Sequence, residues 1–183
     1  DEGESNLPRF SFTTKGRSCY EKVTVSENEV IIVEGLHALN PVITDPLSDR
    51  DMKLFYVSVS SRIYKGEEVL LTKRDMRFIR RLIRDYHHRN TEVEYTFYLW
   101  NGVRKGEDRY LFPFSDRADI KIDSIHPYEI CAFKDTALRL LSHINEESIY
   151  FDEAHSLRKR LSGFVSLSES SIPEESLLNE FIA

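Results

Sequence analysis

Val30–His37 reads VIIVEGLH, and this stretch decides the fold class. Four consecutive apolar residues without alternation suit a central strand buried on both faces by helices. A strand with one face in water would alternate. On this reading Val30–Val33 is a buried parallel strand that ends at Glu34–Gly35. The Glu34 carboxylate then falls at the carboxyl edge of the sheet, where open α/β folds bind ligands. It could hold Mg²⁺, directly or through water, because that ion takes one or two carboxylates together with phosphate oxygens. The plainer reading is a glutamate that caps a strand–helix turn, with Gly35 permitting the sharp bend.

Working outward, Arg9–Phe12 and Cys19–Val25 read as short strands joined by a turn around Lys15–Gly16, a hairpin spanning 9–25. Asn40–Pro41 can open a short helix, since proline is tolerated in a first turn. Met52–Val59 is rich in aromatic and β-branched residues and reads as the next strand. Ser60–Leu71 reads as a connecting loop and Ala118–Ile122 as a third short strand. Helices are predicted over Glu92–Val103, Tyr128–Ile144, Phe151–Leu161 and Pro173–Phe181, with Pro113 closing the middle region and the Ser-rich Ser162–Ser171 a loose connection. Strands separated by helical segments predict an α/β fold, a parallel sheet flanked by helices with a hairpin projecting near the start.

Arg74–Arg89, RDMRFIRRLIRDYHHR, carries six arginines. At helical spacing Ile79, Leu82, Ile83 and Tyr86 form the apolar stripe of a core-facing helix. Arg77, Arg81, Arg84 and His88 fall on another face, bordered by Arg80. Like charges at helical spacing repel, and the planar guanidinium fork suits phosphate oxygens. The row therefore asks for a phosphate-bearing partner. The competing reading is a solvated face paired to Asp75, Asp85, Glu92 and Glu94, and the helix alone does not separate the two.

The chain has 183 residues, 40% of them hydrophobic, enough for one domain with a substantial core. Its formal net charge is −6, yet residues 73–109 hold ten Lys or Arg against six acids. A basic island on an acidic body suggests a local anion site rather than a long nucleic-acid track. Cys19 and Cys131 have no metal-ligand or redox spacing and point to reduced thiols in the cytoplasm. No apolar run approaches a membrane span, and no signal-peptide pattern opens the chain. The start, DEGESNLPRF, lacks an initiator methionine, as expected of a processed product or a piece of something longer.

The order of segments resembles the uridine kinase and phosphoribulokinase family of P-loop kinases. The matching pieces are LPRFSFTTKGR (7–17), VIIVEGLHALNP (30–41), MKLFYVSV (52–59), RDMRFIRRLIRDYHHRN (74–90), WNGVRKGEDRYLFPFSDRADIKID (100–123) and IPEESLLNEFI (172–182). The likeness is to the bacterial nucleoside-kinase branch, whose members often carry TGS and threonyl-tRNA-synthetase-like domains ahead of the kinase. The resemblance implies a P-loop kinase-like sheet with an Arg-rich lid helix, a lid region over 73–112 and C-terminal helices over 128–183. It implies ATP and Mg²⁺ as cofactors and phosphoryl transfer to the 5′-hydroxyl of a nucleoside. Glu34 looks like the magnesium-associated acid. Arg81 and Arg84 look like the catalytic lid arginines, and Arg89, with Arg77, is expected to face ATP. Phe10 and Lys15 match hairpin positions where uridine kinases place a tyrosine and a histidine against the base. Phe10, Phe12 and Tyr20 make the hairpin aromatic-rich, a flat surface that could stack a base or simply pack the hairpin, and Arg17 is placed on the substrate side with them. Asn90 replaces the glycine usual after the lid arginine.

One departure is large. A P-loop needs GxxxxGK followed by Ser or Thr, because its backbone N–H groups cradle phosphates, and no pair of glycines here has that spacing. The family's two upstream aspartates also have no match. The expectation is therefore the C-terminal portion of a nucleoside kinase domain, 1–183, inactive alone. The alternatives are a catalytically dead or regulatory module that binds nucleotide or RNA phosphates, and a related kinase acting on another small alcohol such as a sugar phosphate. The expected partner is a nucleoside or similar small molecule, with no membrane. The acidic body argues against an extended nucleic-acid surface, and homo-oligomerisation is left open.

Overall fold

The computed structural model describes residues 4–11, 16–26, 28–47 and 52–182, apart from the Glu169 side chain. The chain divides into two units, Asp1–Ala38 and Leu39–Ala183. In the first unit β1 (Glu4–Ser11) and β2 (Gly16–Thr24) form an antiparallel hairpin. It starts earlier than the sequence reading has it, and the ladder bulges between Arg9 and Phe10, which sets Phe10 opposite Arg17. Phe12 and Lys15, with the expected turn, lie outside the described residues.

Val30–Val33 is not a strand. The run has no regular structure, and its four residues are 86%, 68%, 88% and 69% exposed. A strand exists only through its ladder, because each N–H and C=O needs a partner. Among the described residues every strand pairs within one of three two-stranded sheets, and none of these includes Val30–Val33. The apolar run records a demand for burial but does not supply the neighbour that would meet it.

In the second unit Asn40 caps a short helix, α1 (Pro41–Thr44), its Oδ1 accepting the Val42 N–H at 3.0 Å. β3 (Phe55–Ser58) pairs in parallel with a later strand, Ile120–Asp123, in the register Phe55–Ile120 and Val57–Ile122. This is the parallel sheet of the described residues, with both strands offset or shortened relative to the sequence reading. The predicted Ser60–Leu71 loop instead holds a second hairpin, β4 (Ile63–Lys65) and β5 (Glu68–Leu71). Gly66 makes its turn at φ 63°, a left-handed conformation that costs glycine little. Strands of three and four residues are too short to show a period, which is why the pattern misses them.

α2 (Lys73–Arg89) follows, and its buried face carries Met76, Phe78, Ile79, Leu82 and Ile83. Each such side chain contributes about 1.5–3 kcal/mol on burial, so this face anchors the helix. α3 (Val93–Tyr110) runs past the expected end at Val103, through Gly106. Its Phe97 and Trp100 meet Phe78 at ring-centroid distances of 4.6 and 5.5 Å. The later strand of the parallel pair is β6 (Ile120–Asp123). It is followed by α4 (Glu129–Leu141), α5 (Phe151–Leu161) and a terminal turn, α6 (Asn179–Ile182), shorter than the predicted Pro173–Phe181. α2 packs against α3, α4 and α6, and Phe133 of α4 meets Phe181 at 5.7 Å. Among the described residues no helix is long and apolar enough to cross a membrane.

Candidate functional site

α2 starts on a capping box. Thr72 Oγ1 accepts the Asp75 N–H at 3.2 Å, and Asp75 Oδ2 accepts the Thr72 N–H at 2.8 Å. Two of the orphan donors of a helix start are thereby satisfied. Arg160 of α5 donates to both Asp75 oxygens, at 2.8 and 3.0 Å. Burial raises the Asp75 carboxyl, but the hydrogen bonds from Arg160 and Thr72 outweigh it and hold the group below the usual carboxylate value.

The first arginines of the row face acids of α3 and α4. Arg74 pairs with Asp108. Arg77 pairs with Glu107 of α3, which is 1% exposed, and donates to Ser58 Oγ of β3 at 2.9 Å. Arg80 donates Nε to Glu129 Oε1 at 3.1 Å and Nη2 to the Ser124 carbonyl at 2.7 Å, and Glu129 is fully buried. A buried carboxylate is tolerated because the guanidinium fork meets it with several aligned bonds. These three residues are ion-paired, but to Asp108, Glu107 and Glu129 rather than to the Asp75, Asp85, Glu92 and Glu94 expected from the sequence.

The C-terminal arginines are arranged differently. Arg81, Arg84 and Arg89 converge on one carboxylate, Asp85, with N···O distances of 3.0, 3.8 and 3.0 Å. Three guanidiniums share Asp85, with Glu180 as a further acid acting on Arg84, so three cations face two acids and positive charge is left over. Arg89 Nη1 donates a true hydrogen bond. The Nε of Arg81 is close to Asp85 but not aligned for one, and the buried Nε atoms of Arg77, Arg81 and Arg84 have no hydrogen-bond partner. These Nε atoms are closed to solvent, so a ligand would reach the three arginines through the rest of each guanidinium, on side chains that are 19%, 31% and 52% exposed. Burial, then the neighbouring Arg89, push the Arg84 pKa down, with Arg81 adding to the repulsion. Asp85 and Glu180 pull it back up. Asn90 ends the helix at φ 47°, the left-handed position a glycine would take, and asparagine tolerates it better than most residues.

The remaining predicted residues lie in the first unit. On the hairpin Phe10 is 57% exposed, with Arg17 opposite it on β2. Glu34 is an exposed carboxylate directly after Val30–Val33. The strand that was to carry it to a sheet edge is not formed, so its place at that edge is not supported. The described residues contain no group of three or more potential metal ligands. A single carboxylate still matches what Mg²⁺ takes from protein when phosphate and water complete its shell.

Asp85, Glu107 and Glu129 decide which arginines are spoken for, and sequence reasoning assigned none of them a site role. Asp85 was legible only as one of several nearby acids. Glu107 and Glu129 lie 30 and 49 residues from their partners, and no local pattern connects such pairs. A family model described as "Phosphoribulokinase / Uridine kinase family" matches residues 1–131. No match was found among curated proteins or among solved structures.

Proposed function

The chain belongs to the phosphoribulokinase/uridine kinase family, and from that premise we propose that it serves an ATP-dependent transfer of a phosphoryl group to the 5′-hydroxyl of a nucleoside. Members of this family are kinases that generally use ATP and Mg²⁺. The observation that carries the reading is the convergence of Arg81, Arg84 and Arg89 on the buried carboxylate of Asp85, which leaves positive charge over. Phosphoryl transfer depends on positioning and on neutralising charge spread over the moving group, and this is the charge α2 offers.

In this reading α2 is the lid helix of a P-loop kinase-like domain whose lid region spans 73–112. Arg81 and Arg84 bind the transferred group and hold it against the acceptor, while Arg89 meets the same group from the ATP side. Arg77 reaches ATP only by exchanging Glu107 and Ser58 for it. Phe10 and Phe12 supply flat surface for the base, with Lys15 and Arg17 binding the polar edge of the substrate. When bound, Mg²⁺ supplies further charge neutralisation, and Glu34 is the residue that would hold it. The likeness to the bacterial nucleoside-kinase branch and the cytoplasmic setting belong to the same proposal.

The test measures ADP release by the complete polypeptide that carries this chain. The acceptors are a panel of nucleosides, a pentose phosphate and pantothenate. A nucleoside is expected to be the preferred acceptor. Arg84→Ala is expected to lower kcat by about 10²–10³, the scale of removing one donor to a developing charge. Phosphorylation of the pentose phosphate alone would move the acceptor to another member class. Unchanged kcat in both Arg81→Ala and Arg84→Ala would remove α2 from the chemistry. The 183-residue chain by itself, with no GxxxxGK sequence, is expected not to release ADP.

A further inference from the structure

We propose that Asp85 is a positioning residue whose buried carboxylate gathers the guanidiniums of Arg81, Arg84 and Arg89 into one cluster that meets a single phosphoryl group. This rests on the reading of α2 as a phosphate-binding helix. Asp85 is 1% exposed, and on the helix it stands four residues after Arg81, one after Arg84 and four before Arg89. Side chains four apart meet on one face, so Arg81 and Arg89 reach the same carboxylate from opposite ends. The residue is also fixed by its backbone: its carbonyl accepts the N–H of Asn90 and, at 3.0 Å, that of Thr91. The carboxylate therefore sits where the helix closes, at a place set by the fold.

An ion pair made only for stability needs one arginine, as Arg80 shows with Glu129. Here three share one carboxylate, with Glu180 as a further acid acting on Arg84, and without Asp85 they would repel one another and spread apart. Asp85 holds them together while using few of their donors. It takes one aligned bond from Arg89, a close but unaligned approach from Arg81 and a looser one from Arg84. Each guanidinium has five N–H donors, so most stay available. Their side chains are 19%, 31% and 52% exposed in chain order, open enough for a ligand to reach. A phosphoryl group offers three oxygens to three forks.

The experiment uses the 183-residue chain, inorganic tripolyphosphate as the probe, and the Nε–H NMR signals of Arg81, Arg84 and Arg89 as the readout, with thermal unfolding in parallel. In the wild type the three signals are expected to shift along one saturation curve. Asp85→Asn keeps the shape but removes the charge. It is expected to separate the three signals, return their exchange rates toward those of exposed arginines, and weaken binding about tenfold or more, as loss of an orienting partner does. Asp85→Glu keeps the charge and should keep the common curve. A merely structural role would lower the unfolding temperature and leave the common curve in the folded fraction. Asp85→Asn that binds on one curve with wild-type affinity overturns the proposal, and so does Asp85→Glu that behaves like Asp85→Asn. Should Asp85→Asn not fold, the effects of Arg81→Ala and Arg89→Ala on affinity decide. Less than additive effects support a shared hub, and additive ones overturn it. A wild type that does not bind tripolyphosphate sinks the phosphate reading of α2 and this proposal with it. Binding that survives in Asp85→Asn sinks only the positioning role.

Discussion

Arg80 and Arg84 lie one turn apart on the same helix, and their neighbours give them opposite tasks. Arg80 neutralises Glu129 and belongs to the structure. Glu129→Ala is expected to cost about 3–5 kcal/mol in urea unfolding, because it strands a guanidinium that is only 16% exposed. Asp75 gives a pH test. Its carboxyl is held below the unfolded value of 3.8, so its contribution is complete above that value and is lost as pH falls through the lower native one. As pH falls below about 4, the wild type is expected to lose more stability than Asp75→Asn, as read by chemical unfolding at each pH. At this scale the sequence showed that arginines were crowded. It could not show which of them had been spent, because the acids that spend them come from α3 and α4.

Helix caps and apolar stripes are local, and the elements that rest on them were legible. α5 spans Phe151–Leu161 as the pattern predicts, and α2 starts one residue early, on the capping box of Thr72 and Asp75. The end of α2 rests on Asn90 at φ 47°. Asn90→Ala is expected to cost about 1 kcal/mol, since a Cβ without a short polar group is strained there, while Asn90→Gly is expected to be neutral or slightly stabilising. Thermal melts of the two variants separate these outcomes. The β4–β5 hairpin and the end of α3 beyond Val103 were not legible. The hairpin strands are too short to carry a period. Beyond Val103, α3 passes Gly106 and there buries Glu107 against Arg77 of α2.

For the whole molecule the telling segment is again Val30–Val33. An exposed, β-prone apolar run is a template for pairing with another chain. Ile32→Lys is expected to reduce concentration-dependent association in light scattering. It should leave the unfolding midpoint nearly unchanged, because Ile32 is 88% exposed. Matching midpoints with undiminished association would show that the run is not the contact. The family is shown by residues 1–131, and the segments that suggested it were readable in order along the chain. By itself the sequence determined the α/β alternation, the helix with its apolar stripe and arginine row, and the family, because all of these are written in local spacing and segment order. Only the tertiary structure decided that Arg74, Arg77 and Arg80 are held by distant acids, that Arg81, Arg84 and Arg89 share Asp85 with charge to spare, and that VIIVEGLH lacks a strand partner among the described residues. Pairing of charges and of strands depends on which residues meet in space, and a chain read in order carries the demand for a partner without naming it.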